Sequence, residues 1–171
     1  MSIPVSVFSV GTFSAMPAGS LFQHHDQWYL KSKVTAADMP RTQTAIAVAL
    51  TGPKAGRWLR EESIPKFEFL TIEPDRWQTE IEPSSFKRGH QAPLLALGFN
   101  KSAEPAVRCR KESDWGWAGL NGENHDSTMT DTDQVPWAVE WSVVVVDNQG
   151  AAWHLFFVTD SVSEVTSRSG L

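Results

Sequence analysis

A chain of 171 residues has room for one domain, or for two small units that share a core, and can bury roughly two thirds of its unfolded surface without a metal or disulfide staple. Its 41% hydrophobic and 20% charged residues are ordinary for a globular protein, and a net charge of -5 argues against a dedicated nucleic-acid binder while favouring a basic partner over an acidic one. The single cysteine, Cys109, excludes an internal disulfide, and eight Trp with nine Phe against one Tyr suit the half-buried pleats of β-sheets.

In chain order, residues 5–10 alternate and predict a first strand. Residues 20–22 and 28–31 flank the polar tip Gln23, His24, His25, Asp26 and Gln27, which predicts a hairpin. Its return strand sets Trp28 and Leu30 on one face and Tyr29 and Lys31 on the other. Residues 35–44 are polar, contain Pro40 and are expected as a loop. Residues 45–50 then set Ile46, Val48 and Leu50 against alanines, a small face that invites close approach of another layer. After turns at Gly52 and Gly56, the chain returns at Arg57, and residues 67–72 form a further strand.

Asp75 is placed to cap a short helix carrying Trp77 and Ile81 on one side. Residues 83–91, with Lys87, Arg88 and His90, form a polar loop and a candidate boundary. Residues 94–99 are strand-like. Residues 107–111 turn Val107 and Cys109 inward and Arg108 and Arg110 outward, which suits an exposed or edge strand. Residues 121–134 are acidic, with Met129 their one large apolar side chain, and are expected to be mobile.

The stretch 138–158 organises the rest. Four consecutive valines, Val143 to Val146, and the run Trp153, His154, Leu155, Phe156, Phe157 flank a turn at Asp147, Asn148, Gln149 and Gly150. This is a hairpin signal, and the valine strand has no polar face, so it is expected in the middle of a sheet. On its partner, His154 is expected to share a face with Ala152 and Phe156. Residues 161–171 read as a frayed tail. The fold class is all-β, or β with one or two short helices, as an antiparallel sandwich or partly open barrel built from hairpins. The domain reading is a single unit, 1–171, with two sub-regions at 1–82 and 92–160.

Phe13, the run Gly19, Ser20, Leu21, Phe22, the run Trp28, Tyr29, Leu30, Lys31, and later Leu50, Thr51, Gly52 carry a further signal. This pattern resembles short uncharacterised β-module proteins of phages and bacterial mobile elements, over residues 11–72. The resemblance implies a mobile-element origin and a small β-module. It implies no catalytic residue.

His24, His25 and Asp26 on one loop, and Glu123, His125 and Asp126 on another, are the residue types that hold zinc or iron. Neither group has the fixed spacing of a metal motif, so a solvated turn is the alternative, and no cofactor is expected. Cys109 between two arginines reads either as a low-pKa thiol or as a small core residue. No nucleophile elbow and no phosphate-binding loop is present. Trp115, Trp117, Trp137 and Trp141 bracket the acidic loop. Trp115 and Trp117 share a strand face and are either a stacking platform or core.

The expected function is therefore a non-enzymatic, cytoplasmic binding protein of inhibitor or immunity type. It would hold a protein partner through Trp115, Trp117, Glu123, Asp126, Asp131, Asp133 and Trp137. A carbohydrate- or small-ligand module using the tryptophans is a second reading. A metal-dependent hydrolase using His24, His25, His125 and Asp126 is a third. The cytoplasm follows because no apolar run reaches the roughly 18 residues of a membrane helix, and residues 1–17 lack the basic start of a secretory signal.

Overall fold

The computed structural model describes residues 2–36, 38–39, 42–89, 91–126, 128–129 and 136–159. Among these the regular structure is strand, with single 3-10 turns at Val5–Val7, Glu61–Ser63, Pro74–Arg76 and Pro83–Ser85. The strands are β1 Ser9–Gly11, β2 Leu21–His24, β3 Gln27–Thr35, β4 Gln43–Ala49, β5 Trp58–Arg60, β6 Phe69–Ile72 and β7 Trp77–Ile81. They continue as β8 Phe86–Lys87, β9 Leu97–Phe99, β10 Pro105–Lys111, β11 Asp114–Gly119, β12 Trp137–Ala138, β13 Trp141–Val146 and β14 Ala152–Val158.

Three antiparallel sheets result, in the orders β1-β6-β2-β3-β4-β5, β11-β10-β9-β12-β8 and β14-β13-β7. The fold is an all-β sandwich, and no sheet among the described residues closes into a barrel.

Period-2 alternation decides what each face buries. Leu30, Val34, Ile46 and Val48 of the six-stranded sheet meet Val107 and Cys109 of the five-stranded sheet and Trp141, Val143 and Val145 of the three-stranded one. This main core runs from Val7 to Val158 and draws on every sheet, and β7, from the first sub-region, pairs with β13 of the second. The alternate face of the six-stranded sheet is also covered. Phe13, Met16 and Ile64 pack there on Phe22, Tyr29 and the alanines Ala47 and Ala49. The alternate face of the five-stranded sheet buries Ala96, Ala106, Trp117, Met129, Trp137 and Val139.

Several local expectations change. Val5–Val7 is a 3-10 turn, not strand: Pro4 holds φ at -58 and the Phe8 N–H bonds back to the Val5 carbonyl at 3.0 Å. The five-residue hairpin tip shrinks to His25 and Asp26, whose φ of 50 and 59 close a two-residue primed turn between His24 and Gln27. The helix at Trp77 and Ile81 is a strand entered through one 3-10 turn. A spacing of four puts two side chains on the same face in either structure, and β13 supplied the pairing edge. Strand β10 is interior, because β11 lies beyond it.

The valine strand β13 is central, between β14 and β7. Its turn is closed by Asp147, whose Oδ1 accepts from the Gln149 and Ala151 amides at 2.9 Å, and by Gly150 at φ 82. Val143 pairs with Phe156 but Val144 pairs with His154, so Leu155 is an inserted bulge residue. The bulge brings His154 beside Phe157 instead of Phe156, with the two rings stacked at 4.9 Å.

Lys31 pins the outer layer. Its Nζ donates to the Phe13 carbonyl at 2.7 Å and to the Met16 carbonyl at 2.9 Å, and lies 4.8 Å from the Phe13 ring centre. Burial lowers the ammonium pKa from its ordinary value. Lys31→Met keeps the stem but removes the donors, and is expected to cost about 1–2 kcal/mol, read as a lower urea midpoint. An unchanged midpoint would remove Lys31 as the pin.

Candidate functional site

The β10–β11 hairpin brings two large aromatic and two cationic side chains together at the surface. Its register sets Arg108 opposite Trp117 and Arg110 opposite Trp115, so all four side chains rise from one face. The Arg108 guanidinium lies 4.8 Å from the Trp115 ring centre and 5.3 Å from that of Trp117, and Arg110 lies 5.0 Å from Trp115. Such cation–π stacking holds a guanidinium in place without using its N–H donors. Among the described residues neither Arg108 nor Arg110 has a hydrogen bond from its buried Nε. Burial lowers the Arg108 pKa from its ordinary value.

The two tryptophans divide their work. Trp117 is buried at 3% exposure, while Trp115 is 41% exposed. Trp115 also walls an open hollow of about 280 Å³, lined with Pro93, Leu94, Ala96, Val139 and Val158. The arrangement is an apolar hollow walled by Trp115, a ring that also carries two guanidinium groups. Chemically it suits an apolar side chain next to a carboxylate or phosphate, the groups that arginine forks bind best.

The acidic loop does something else. Asp126 Oδ1 accepts from the Trp117 amide at 2.6 Å and Oδ2 from the Thr35 amide at 2.7 Å, so one carboxylate ties β11 to β3. His125 is buried. Its Nδ1 lies 3.2 Å from Asn100 Nδ2 and 3.3 Å from Thr128 Oγ1, and its Nε2 lies 3.3 Å from Asn121 Oδ1, so the ring is enclosed by polar partners. Met129 is buried on Trp117 over Gly98, where a Cβ would sit 2.7 Å from Met129 Cε and 2.8 Å from the Trp117 ring. The expectation of a mobile loop is thus corrected for residues 121–126 and 128–129: their polar groups are satisfied inward and Met129 supplies an apolar anchor.

Of the expected binding residues, Trp115 alone combines exposure with a socket. Trp117 and Trp137, the latter at 7% exposure, belong to the core, and Trp137 Nε1 donates to the Gly89 carbonyl at 3.3 Å. Asp126 is a brace. Glu123 is exposed, and its carbonyl accepts from the Gly119 amide at 2.9 Å. Asp131 and Asp133 lie outside the described residues, as does His90. Arg108 and Arg110 were not expected in the site. The signal was present, since outward arginines on one hairpin strand must share a face with alternate residues of the other.

The metal candidates do not gather. His24 and His25 touch at 3.9 Å between ring centres on the β2–β3 tip, beside Phe67 and Phe69, while His125 is locked among asparagines. Among the described residues no group of three His, Cys, Asp or Glu could hold a metal ion. The His24 pKa is lowered by desolvation and then by His25. Cys109 is fully buried and its thiol donates to the Gly116 carbonyl at 3.5 Å. Burial pushes the thiol pKa up, overriding the Arg108 guanidinium, so Cys109 is a core residue.

Comparison with protein-family models, with curated proteins and with solved structures found no match.

Asp126→Ala strands two amides and is expected to cost about 2–4 kcal/mol in urea unfolding. Burial raises the Asp126 pKa, against the lowering by the Thr35 and Trp117 amides. A raised carboxyl binds its proton more readily in the folded chain. Its titration therefore favours folding fully below the unfolded pKa of about 3.9, and that contribution is lost as pH rises through the folded value. The stability gap between the native protein and Asp126→Asn is expected to be wider at about pH 4 than at about pH 7. A gap that narrows on acidification would reverse the assigned direction.

Proposed function

We propose that the chain is a non-catalytic protein-recognition module, and that its docking face is the Trp115 socket with Arg108 and Arg110. The observation that carries this is a half-exposed Trp115 holding two guanidinium groups at 4.8 and 5.0 Å beside an apolar hollow of about 280 Å³. An open apolar hollow beside an exposed aromatic ring can take an apolar side chain of a larger partner. Tryptophan and arginine are the residue types on which binding energy concentrates at protein interfaces. The partner is one that presents an apolar side chain next to an acidic group.

This reverses the charge expected of the partner. His125, Asp126 and Met129 of the acidic loop are turned inward, and the arginines form the recognition charge. The reading of a sugar-stacking module is weakened, since two of its three rings, Trp117 and Trp137, are buried. An inhibitor or immunity-type role in the cytoplasm, in a protein of mobile-element origin, is the setting we propose for this face. No helix among the described residues is long and apolar enough to cross a membrane.

Panning a randomised peptide library against the purified protein tests the reading. Peptides carrying Asp or Glu next to Phe, Leu or Trp are expected to be enriched. Trp115→Ala and Arg110→Ala are each expected to weaken them by about tenfold or more, with the circular dichroism spectrum unchanged. No enrichment, or binding that Trp115→Ala leaves intact, would remove the proposal.

A further inference from the structure

We infer that the partner of the Trp115 face is a second copy of this chain, docked through the outer face of the β14-β13-β7 sheet. The inference rests on reading Trp115, Arg108 and Arg110 as a docking face, and it names what docks there.

The outer face of the three-stranded sheet carries the complementary chemistry. A second open hollow there, of about 310 Å³, is bordered by Glu80, Glu82, Glu140, His154 and Phe157. Phe157 is 67% exposed, the most exposed aromatic side chain among the described residues. The bulge at Leu155 turns it outward, and the stacked His154 ring holds it at 4.9 Å. Glu80 lies 3.7 Å from His154 Nε2, and Glu82 accepts from Ser84. Glu140 is exposed. This face therefore presents an apolar knob among carboxylates, which is what an apolar socket rimmed by arginines takes up.

Position matters as much as chemistry. Val158 and Thr159 border both hollows, so knob and socket lie side by side on one molecule. When two complementary patches adjoin, a twofold axis between them sets each against its complement on the other copy. The knob–socket contact then forms twice, and the assembly closes at two chains. In that arrangement Phe157 of each copy enters the hollow beside Trp115 of the other. The carboxylates of Glu80 and Glu140 meet Arg108 and Arg110 across the interface. Charge complementarity excludes a basic occupant for the socket and an acidic one for the knob, and a second copy satisfies both.

Sedimentation velocity over a range of concentrations, with a pair of charge reversals, tests this. The native chain is expected to sediment as a dimer at high concentration. Arg110→Glu alone and Glu80→Lys with Glu140→Lys alone are each expected to sediment as monomers, because like charges then face each other at both contacts. Mixing the two variants makes both contacts complementary and is expected to restore the dimer. Phe157→Asp, at an exposed position, is expected to give a folded monomer. A native chain that stays monomeric, that grows beyond two copies, or that dimerises equally well with Arg110→Glu would overturn the inference. Peptide binding by the Phe157→Asp monomer separates the two readings. Peptides that still dock through Trp115 while the native chain shows no dimer leave the docking face standing and remove only the second copy. Loss of peptide binding in that folded monomer removes the docking face itself.

Discussion

Asp126 makes the contact on which the arrangement of the sheets and the loop turns. It is a partly buried carboxylate with an amide from β3 on one oxygen and an amide from β11 on the other. Burying an acid group is costly unless donors satisfy it, and here the donors belong to two different sheets. The cost of the charge thereby fixes the distance between the layers. Gly116 permits the approach: a Cβ there would lie 3.0 Å from Asp126 Oδ1 and 3.2 Å from Val34 Cγ1. Asn124 adds a third link from the same loop, donating to Thr35 Oγ1 at 2.6 Å.

With the loop anchored, its neighbours acquire their roles. His125 is held between Asn100 and Asn121, and Met129 closes over Gly98 and Trp117. Trp117 thus becomes the buried floor on which Arg108 rests, and Arg108 in turn supports the exposed Trp115. Asn124, His125 and Asp126, polar residues that look free to recognise a partner, are consumed in building the platform. Beside them stand the half-buried Arg108 and Arg110, which look at first like ordinary strand-surface charges.

Much of the architecture was legible in the chain, and the reasons are local. Val143 to Val146 have no polar face, which states that the strand lies mid-sheet, and β13 is central with Val143 and Val145 in the main core. The small face of Ala47 and Ala49 states that a layer comes close, and Phe13, Met16 and Ile64 are that layer. What was not legible depended on ties that periodicity does not express. Trp77 and Ile81 satisfy helix and strand alike, and only the pairing edge of β13 decides between them. Trp115 and Trp117 have the same spacing from everything nearby in sequence. Their separation into surface and core is made by Met129, from the loop that composition alone reads as too polar to pack.

The bulge at Leu155 shows how one inserted residue changes which surface a sheet offers. With regular pairing along β14, His154 and Phe156 would share a face and Phe157 would turn toward the other. The insertion shifts the alternation by one, and His154 and Phe157 come to stack on the outer side. An aromatic ring is then exposed on an edge strand that has no Lys and no Pro to discourage pairing. The carboxylates of Glu80 and Glu140 border the same hollow as that ring. They can protect the edge against unspecific association while leaving it open to a surface that carries arginines. The same few residues therefore limit wrong contacts and specify a right one, which is how a sheet edge becomes selective.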